Sequence, residues 1–207
     1  MIRVLKSSNN FLFALIFLSI YSCNDKKGDF FKSSNEVTIL IQPFTDINSE
    51  TTKLITDQIK NVYPNVKILE AIDLPESSYY KERNRYRADS IIHFLSKSTK
   101  NDFVTIGLTT KDISTTKGSV KDYGVMGLGF QPGKSCVASS FRLKKKNKND
   151  QFFKVAIHEI GHTQGLAHCP EKTCFMRDAE GKNFTDEETD FCEKCKTFLK
   201  TKNWKFN

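Results

Sequence analysis

Hydrophobic residues recur along this chain in short blocks whose spacing separates strands from helices. Residues 36–44 (EVTILIQPF) are rich in β-branched and aliphatic side chains, which suit a pleated, half-buried surface, and they predict a first strand. In residues 48–62 the apolar positions Leu54, Ile55, Ile59 and Val62 fall at helical spacing, and Pro64 ends the segment. Residues 66–72 and 103–108 read as further strands, with a helix at 83–96 that puts Ile91, Ile92 and Leu95 on one face. Residues 124–130 and 135–143 form two more strands, joined by the turn sequence Gln131-Pro132-Gly133. Residues 152–166 make the main helix and residues 187–201 a last one. Alternating strands and helices followed by a strand pair predict an α/β chain built on a mixed sheet. No internal repeat is visible.

A different pattern precedes these elements. Arg3 and Lys6 stand before an apolar run at residues 11–20 (FLFALIFLSI). That run is too short to span a bilayer, which takes about 20 residues, but it suits the core of a signal peptide. Ile20-Tyr21-Ser22-Cys23 then puts an aliphatic residue, a bulky one and a small one ahead of a cysteine, and so resembles the lipobox of bacterial lipoproteins. The resemblance implies that residues 1–22 are removed and that Cys23 carries the lipid, leaving the protein membrane-anchored at the cell envelope. Residues 23–35 have the Asp, Lys, Gly and Ser content of a tether, and residues 36–207 remain for a single folded domain.

Composition changes this picture little. Apolar residues make up 38% of the 207, including 17 Phe, enough for one real core. The net charge is +8. A basic balance admits nucleic acid as a partner, but the lysines are spread out apart from Lys144, Lys145, Lys146 and Lys148, which read as a solvated loop. No nucleic-acid motif accompanies them, so no such partner is expected, and the chain is expected to be a monomer.

The chemistry concentrates in residues 158–168 (HEIGHTQGLAH). Histidines four apart on a helix point the same way, about 6 Å apart, and can share one metal ion. Glu159 flanks the same face, where it could take a proton from a water activated by that metal. Gly165 readily takes the positive φ of a sharp helix exit. The turn brings His168 back as a third ligand. Three protein ligands leave one coordination position open, which is the mark of a catalytic zinc. His93, alone on the second helix, reads as a surface or core residue.

Cysteines form a second cluster. Cys169 and Cys174 are followed by Cys192-Glu193-Lys194-Cys195, two close pairs with a spacer. This is the layout of a four-thiolate structural zinc site, and the short CxxC gap favours a metal. Disulfides are the alternative in a secreted chain. Cys136 is left over and reads as a small buried hydrophobe.

The run 158–176, HExxHxxGxxHC-x4-C-x-M, together with Cys192 and Cys195, resembles the archaemetzincins, zinc peptidases of the metzincin group. Residues 127–143 resemble the segment ahead of the zinc helix in that family, so the likeness is close over the C-terminal half. The 15-residue spacer between Met176 and Cys192 is slightly shorter than in the family pattern. The resemblance implies a zincin-like α+β fold, with a mixed, mostly parallel twisted sheet and an antiparallel edge strand. It also implies Met176 as the Met-turn beneath the histidines, and a peptide substrate pairing along residues 124–130. The expected activity is that of a zinc peptidase or aminopeptidase acting on peptides or proteins. His158, His162 and His168 would hold the catalytic zinc, Glu159 would be the general base, and Cys169, Cys174, Cys192 and Cys195 would hold a second, structural zinc. The alternatives are a non-catalytic lipoprotein whose metals only support the fold and a cell-wall amidase; Glu159 speaks against the first, because a structural site needs no carboxylate beside a ligand.

Replacing Cys23 with Ala is expected to release the protein from membranes or stall its processing. Membrane fractionation with mass measurement checks this; a variant that stays bound, with the same mass after signal removal, contradicts the lipobox.

Overall fold

The computed structural model describes residues 36–206. The signal segment, Cys23 and the rest of the tether lie outside the described residues. No helix among the described residues is long and apolar enough to cross a membrane.

The chain runs β1 (Thr38–Pro43), α1 (Ser49–Val62), β2 (Val66–Ile68), β3 (Tyr79–Tyr80), β4 (Arg85–Arg87), α2 (Ala88–Ser98), β5 (Phe103–Thr109), β6 (Ile113–Lys117), β7 (Val120–Val125), β8 (Gly127–Gly129), β9 (Ser135–Ser139), α3 (Lys148–Thr163) and α4 (Glu193–Lys200). The main sheet has the order β2-β1-β5-β9-β8. Its first four strands are parallel, with Ile39 opposite Val104 and Ile106 opposite Cys136. Strand β8 is the antiparallel edge, with Leu128 opposite Val137. This is the mixed, mostly parallel sheet expected from the sequence.

Both faces of the sheet are covered. Ile55 and Ile59 of α1 and the apolar side of α3 share one core with Ile39, Ile41, Ile106, Cys136 and Ala138. Ala88, Ile91, Ile92 and Leu95 of α2 share the other with Phe44 and Val137. Successive residues of β9 thus feed opposite cores, as the period of two requires. Cys136 is fully buried, in keeping with its reading as a small hydrophobe, and His93 is exposed on α2.

The structure corrects several boundaries. The buried stripe of α1 is Thr52, Ile55, Thr56 and Ile59, while Leu54 points outward at 40% exposure. Two threonines can be buried there because their hydroxyls donate to helix carbonyls, Thr52 to Asn48 at 3.0 Å and Thr56 to Thr52 at 2.7 Å. Helix α2 starts at Ala88, because β4 pairs in parallel with β6 in a second, four-stranded sheet of order β3-β4-β6-β7. The strand expected at 124–130 is divided between the two sheets, with β7 ending at Val125 and β8 starting at Gly127. A part-buried ion network fastens the small sheet to the loop after β9: Arg142 forks onto Asp112 at 2.8 and 2.9 Å, and Arg85 reaches Asp112 and Asp122.

Ile106 is fully buried at the centre of β5. Ile106→Ala is expected to lower the unfolding free energy by about 2–5 kcal/mol, read from urea denaturation.

Candidate active site

Helix α3 is buried over most of its surface, from Gln151 to Thr163, so its polar side chains must find partners inside the protein. It carries His158, Glu159 and His162. At its end Gly165 takes φ +103°, and the Gly165 and Leu166 N–H groups donate back to His162 and Gly161 carbonyls at 2.9 and 3.1 Å. This glycine cap turns the chain so that His168 returns toward the helix. Candidate ligand atoms of His158, His162 and His168 all lie within 4.8 Å of one another.

The Nδ1 atom of each imidazole faces a protein oxygen. His158 Nδ1 meets the Phe175 carbonyl at 2.6 Å, His162 Nδ1 meets the Leu166 carbonyl at 2.8 Å, and His168 Nδ1 lies 3.3 Å from Asp178 Oδ2. That leaves Nε2 of each ring free to face a metal ion. Burial and the neighbouring His162 push the His158 pKa down to about 3, and burial lowers that of His162, so both rings are neutral at ordinary pH. The donor set and its closeness fit one zinc ion with an open position. Met176, fully buried, packs its sulfur against Gly161, where an added Cβ would meet it at 2.4 Å.

Glu159 is 7% exposed and faces the cleft beside β8, where a Cβ on Gly127 would come within 2.5 Å of Glu159 Oε1. Burial raises its pKa to about 8, making the carboxylate a stronger base than usual. The cleft has a volume of about 630 Å³ and is bounded by α3, the edge strand β8, the small sheet and residues 177–188.

The four cysteines also come together. Cys169 Sγ lies 3.6 Å from Cys192 Sγ and Cys174 Sγ 3.7 Å from Cys195 Sγ, and all four are unbonded thiols. Sulfurs bound at 2.3 Å around one tetrahedral zinc are about 3.8 Å apart, so this cluster fits a closed four-thiolate site.

All seven candidate ligands expected from the sequence therefore fall into two clusters. Asp178 and the Phe175 carbonyl escaped sequence reading: a backbone carbonyl carries no sequence signal, and Asp178 is one acid among several in a short loop. The Glu180 N–H donates to Asp178 at 2.9 Å and, with His168 nearby, holds this carboxyl below its usual range against a small opposing effect of burial.

A mixed sheet packed on a helix that carries two of three clustered imidazoles and a carboxylate has the build of a zinc metallopeptidase. Known proteins agree: the profile of peptidase family M54 matches residues 31–201. The archaemetzincin of Archaeoglobus fulgidus is 32% identical over 162 residues, 76% of this chain and 95% of that protein. A crystal structure of the A. fulgidus archaemetzincin complexed with malonate aligns at TM-score 0.67 and 30% identity, covering 78% of this chain and 99% of that one. The Methanopyrus kandleri archaemetzincin has the same fold, at TM-score 0.70 and 24% identity over 84% of this chain and 98% of that one. The chain belongs to peptidase family M54, the archaemetzincins, and is a zinc metallopeptidase.

Asp178→Ala should free the His168 ring. Zinc affinity is expected to fall about tenfold to a hundredfold, measured by competition with a fluorescent chelator; an unchanged affinity would mean that Asp178 does not orient His168.

Proposed function

We propose that the cleft hydrolyses peptide bonds at a zinc held by His158, His162 and His168, with Glu159 as the general base. The observation that carries this reading is the placement of a buried, base-strengthened carboxylate on the helix that carries two of three clustered imidazoles, each with its Nδ1 facing a protein oxygen. When bound, zinc supplies a Lewis acid that makes water acidic and polarises the scissile carbonyl. Glu159 takes the proton of the attacking water and hands it to the leaving amine. Strand β8 is the edge of the main sheet and lines the cleft, so an extended peptide can add to it by backbone pairing. Gly127 leaves room there for the Glu159 carboxylate. Met176 is the Met-turn, supporting the helix at Gly161.

A second zinc is structural, held by Cys169, Cys174, Cys192 and Cys195. Its support is the sulfur spacing and the closed, largely buried setting, which leaves no open position. The mature protein is a lipid-anchored monomer of the cell envelope. Support for the anchor comes from the lipobox-like residues before Cys23.

Glu159→Gln keeps the size of the side chain and removes its basicity. Turnover of a peptide pool is expected to fall about 10²–10⁴-fold at unchanged zinc content, measured on purified pairs. Equal cleavage by both proteins at equal zinc would remove Glu159 as the base; no cleavage by wild type over a broad pool would contradict the peptidase reading.

A further inference from the structure

One acid in the cleft is used neither by the proposed reaction nor by the fold. Glu188 is 5% exposed, and among the described residues its carboxylate accepts no hydrogen bond and forms no direct ion pair. A buried carboxylate without a partner is costly and is rare in folded proteins. The cations nearest to it are already engaged. Lys154 is paired with Asp150 at 2.7 Å, and Arg177 is paired with Glu187 at 2.7 Å while its guanidinium stacks 3.7 Å over the Phe184 ring. Burial therefore dominates, lifting Glu188 to about 7 against the weaker pull of Lys154 and Arg177.

The position of this carboxylate is well defined. It lines the same cleft as the histidines, as do Lys154 and Val155. Lys154 precedes His158 by four residues, about one helical turn or 5.4 Å along α3. Residues 183–188, the segment that carries Glu188, are pinned to α3 through the fully buried Gln151. Asn183 donates to Gln151 Oε1 at 2.9 Å, and Gln151 Nε2 donates to Asp186 at 2.9 Å. Asn183 in turn accepts from the Thr185 hydroxyl at 2.7 Å. The cleft that holds the metal-ligand cluster is thus also lined by an unpaired acid, on a segment tied to α3.

We propose that Glu188 is the specificity-determining residue of this site, forming the floor of a side-chain pocket that takes a lysine or arginine next to the scissile bond. The inference rests on reading the cleft as a peptidase site. A substrate ammonium or guanidinium entering the pocket supplies the missing partner. An apolar side chain of the same length leaves Glu188 unpaired and loses the small amount of solvent it has, so discrimination comes as much from the penalty against the wrong residue as from the contact with the right one. An acidic side chain is excluded by like charge.

The test has a cleavage arm and a binding arm. The zinc-loaded wild type is given a proteome-derived peptide library and its cleavage sites are mapped by mass spectrometry. Lysine and arginine are expected to be enriched at one position adjacent to the cut. A peptide with lysine there should be cleaved roughly 10–100-fold more efficiently, in kcat/KM, than its norleucine analogue, and Glu188→Gln should collapse that ratio toward one. In the binding arm, Glu159→Gln is titrated with the same two peptides, labelled with a fluorophore, and the lysine peptide should bind more tightly by a similar factor. Cleavage without basic enrichment, or a ratio that survives in Glu188→Gln, overturns the pocket while the peptidase reading stands. Absence of cleavage with equal binding of both peptides overturns both. The wild-type map and ratio need no variant, so poor folding of Glu188→Gln leaves the test intact.

Discussion

One short piece of chain, residues 168–178, serves two clusters at once, and the site depends on it. His168 completes the imidazole cluster and the next residue, Cys169, begins the thiol cluster. Cys174 is followed at once by Phe175, whose carbonyl fixes His158, by Met176 against Gly161, and shortly by Asp178 beside His168. Little regular structure holds this segment in place: it follows the glycine exit from α3, and the short helix α4 is the only helix after it among the described residues. Isolated bridges join Cys169 to Arg177 and Cys174 to Asp190, and Met176 and Cys192 amides point at the Cys174 sulfur. A loop so poor in hydrogen-bonded ladders would be expected to move. Gathering its four sulfurs around one ion would make its geometry rigid, and through Phe175 and His168 that rigidity would pass to the reaction centre.

The helix side of the site is held by packing. Trp204 stacks on Tyr63 with ring centroids 4.4 Å apart and donates to Gln164 at 3.3 Å, tying the C-terminus, the end of α1 and the exit from α3 together. Burial then does chemical work, keeping His158 and His162 neutral for metal binding and strengthening Glu159 as a base. At Glu188 the same burial raises the pKa of an unpaired carboxylate. A single physical cause therefore favours different charge states at different points of one cleft.

Much of this was legible along the chain because it is written in local spacing. Histidines four apart on a helix, a glycine at the exit and a CxxC pair encode their own geometry, so the two clusters follow from sequence with every residue in place. The parallel core strands were visible in their β-branched runs. The small sheet was not, because β3, β4, β6 and β7 are short and carry Lys, Arg, Thr and Tyr in no clear alternation; they are strands only because their neighbours pair with them. Leu54 and Thr56 exchanged places for a similar reason, since hydroxyls bonded to the helix backbone can be buried where composition suggests exposure. Asp178 and Glu188 gain their meaning from tertiary neighbours, Glu180 and His168 for the first and the cleft it lines for the second.

The central claim is that two zinc ions, joined by residues 168–178, organise this molecule. Anomalous diffraction at the zinc absorption edge, from crystals of the folded protein, tests it most directly. The account predicts two peaks per chain, one among the imidazoles of His158, His162 and His168 and one among the sulfurs of Cys169, Cys174, Cys192 and Cys195. A single peak, with continuous density linking sulfurs of the cysteine cluster as disulfides, would contradict it.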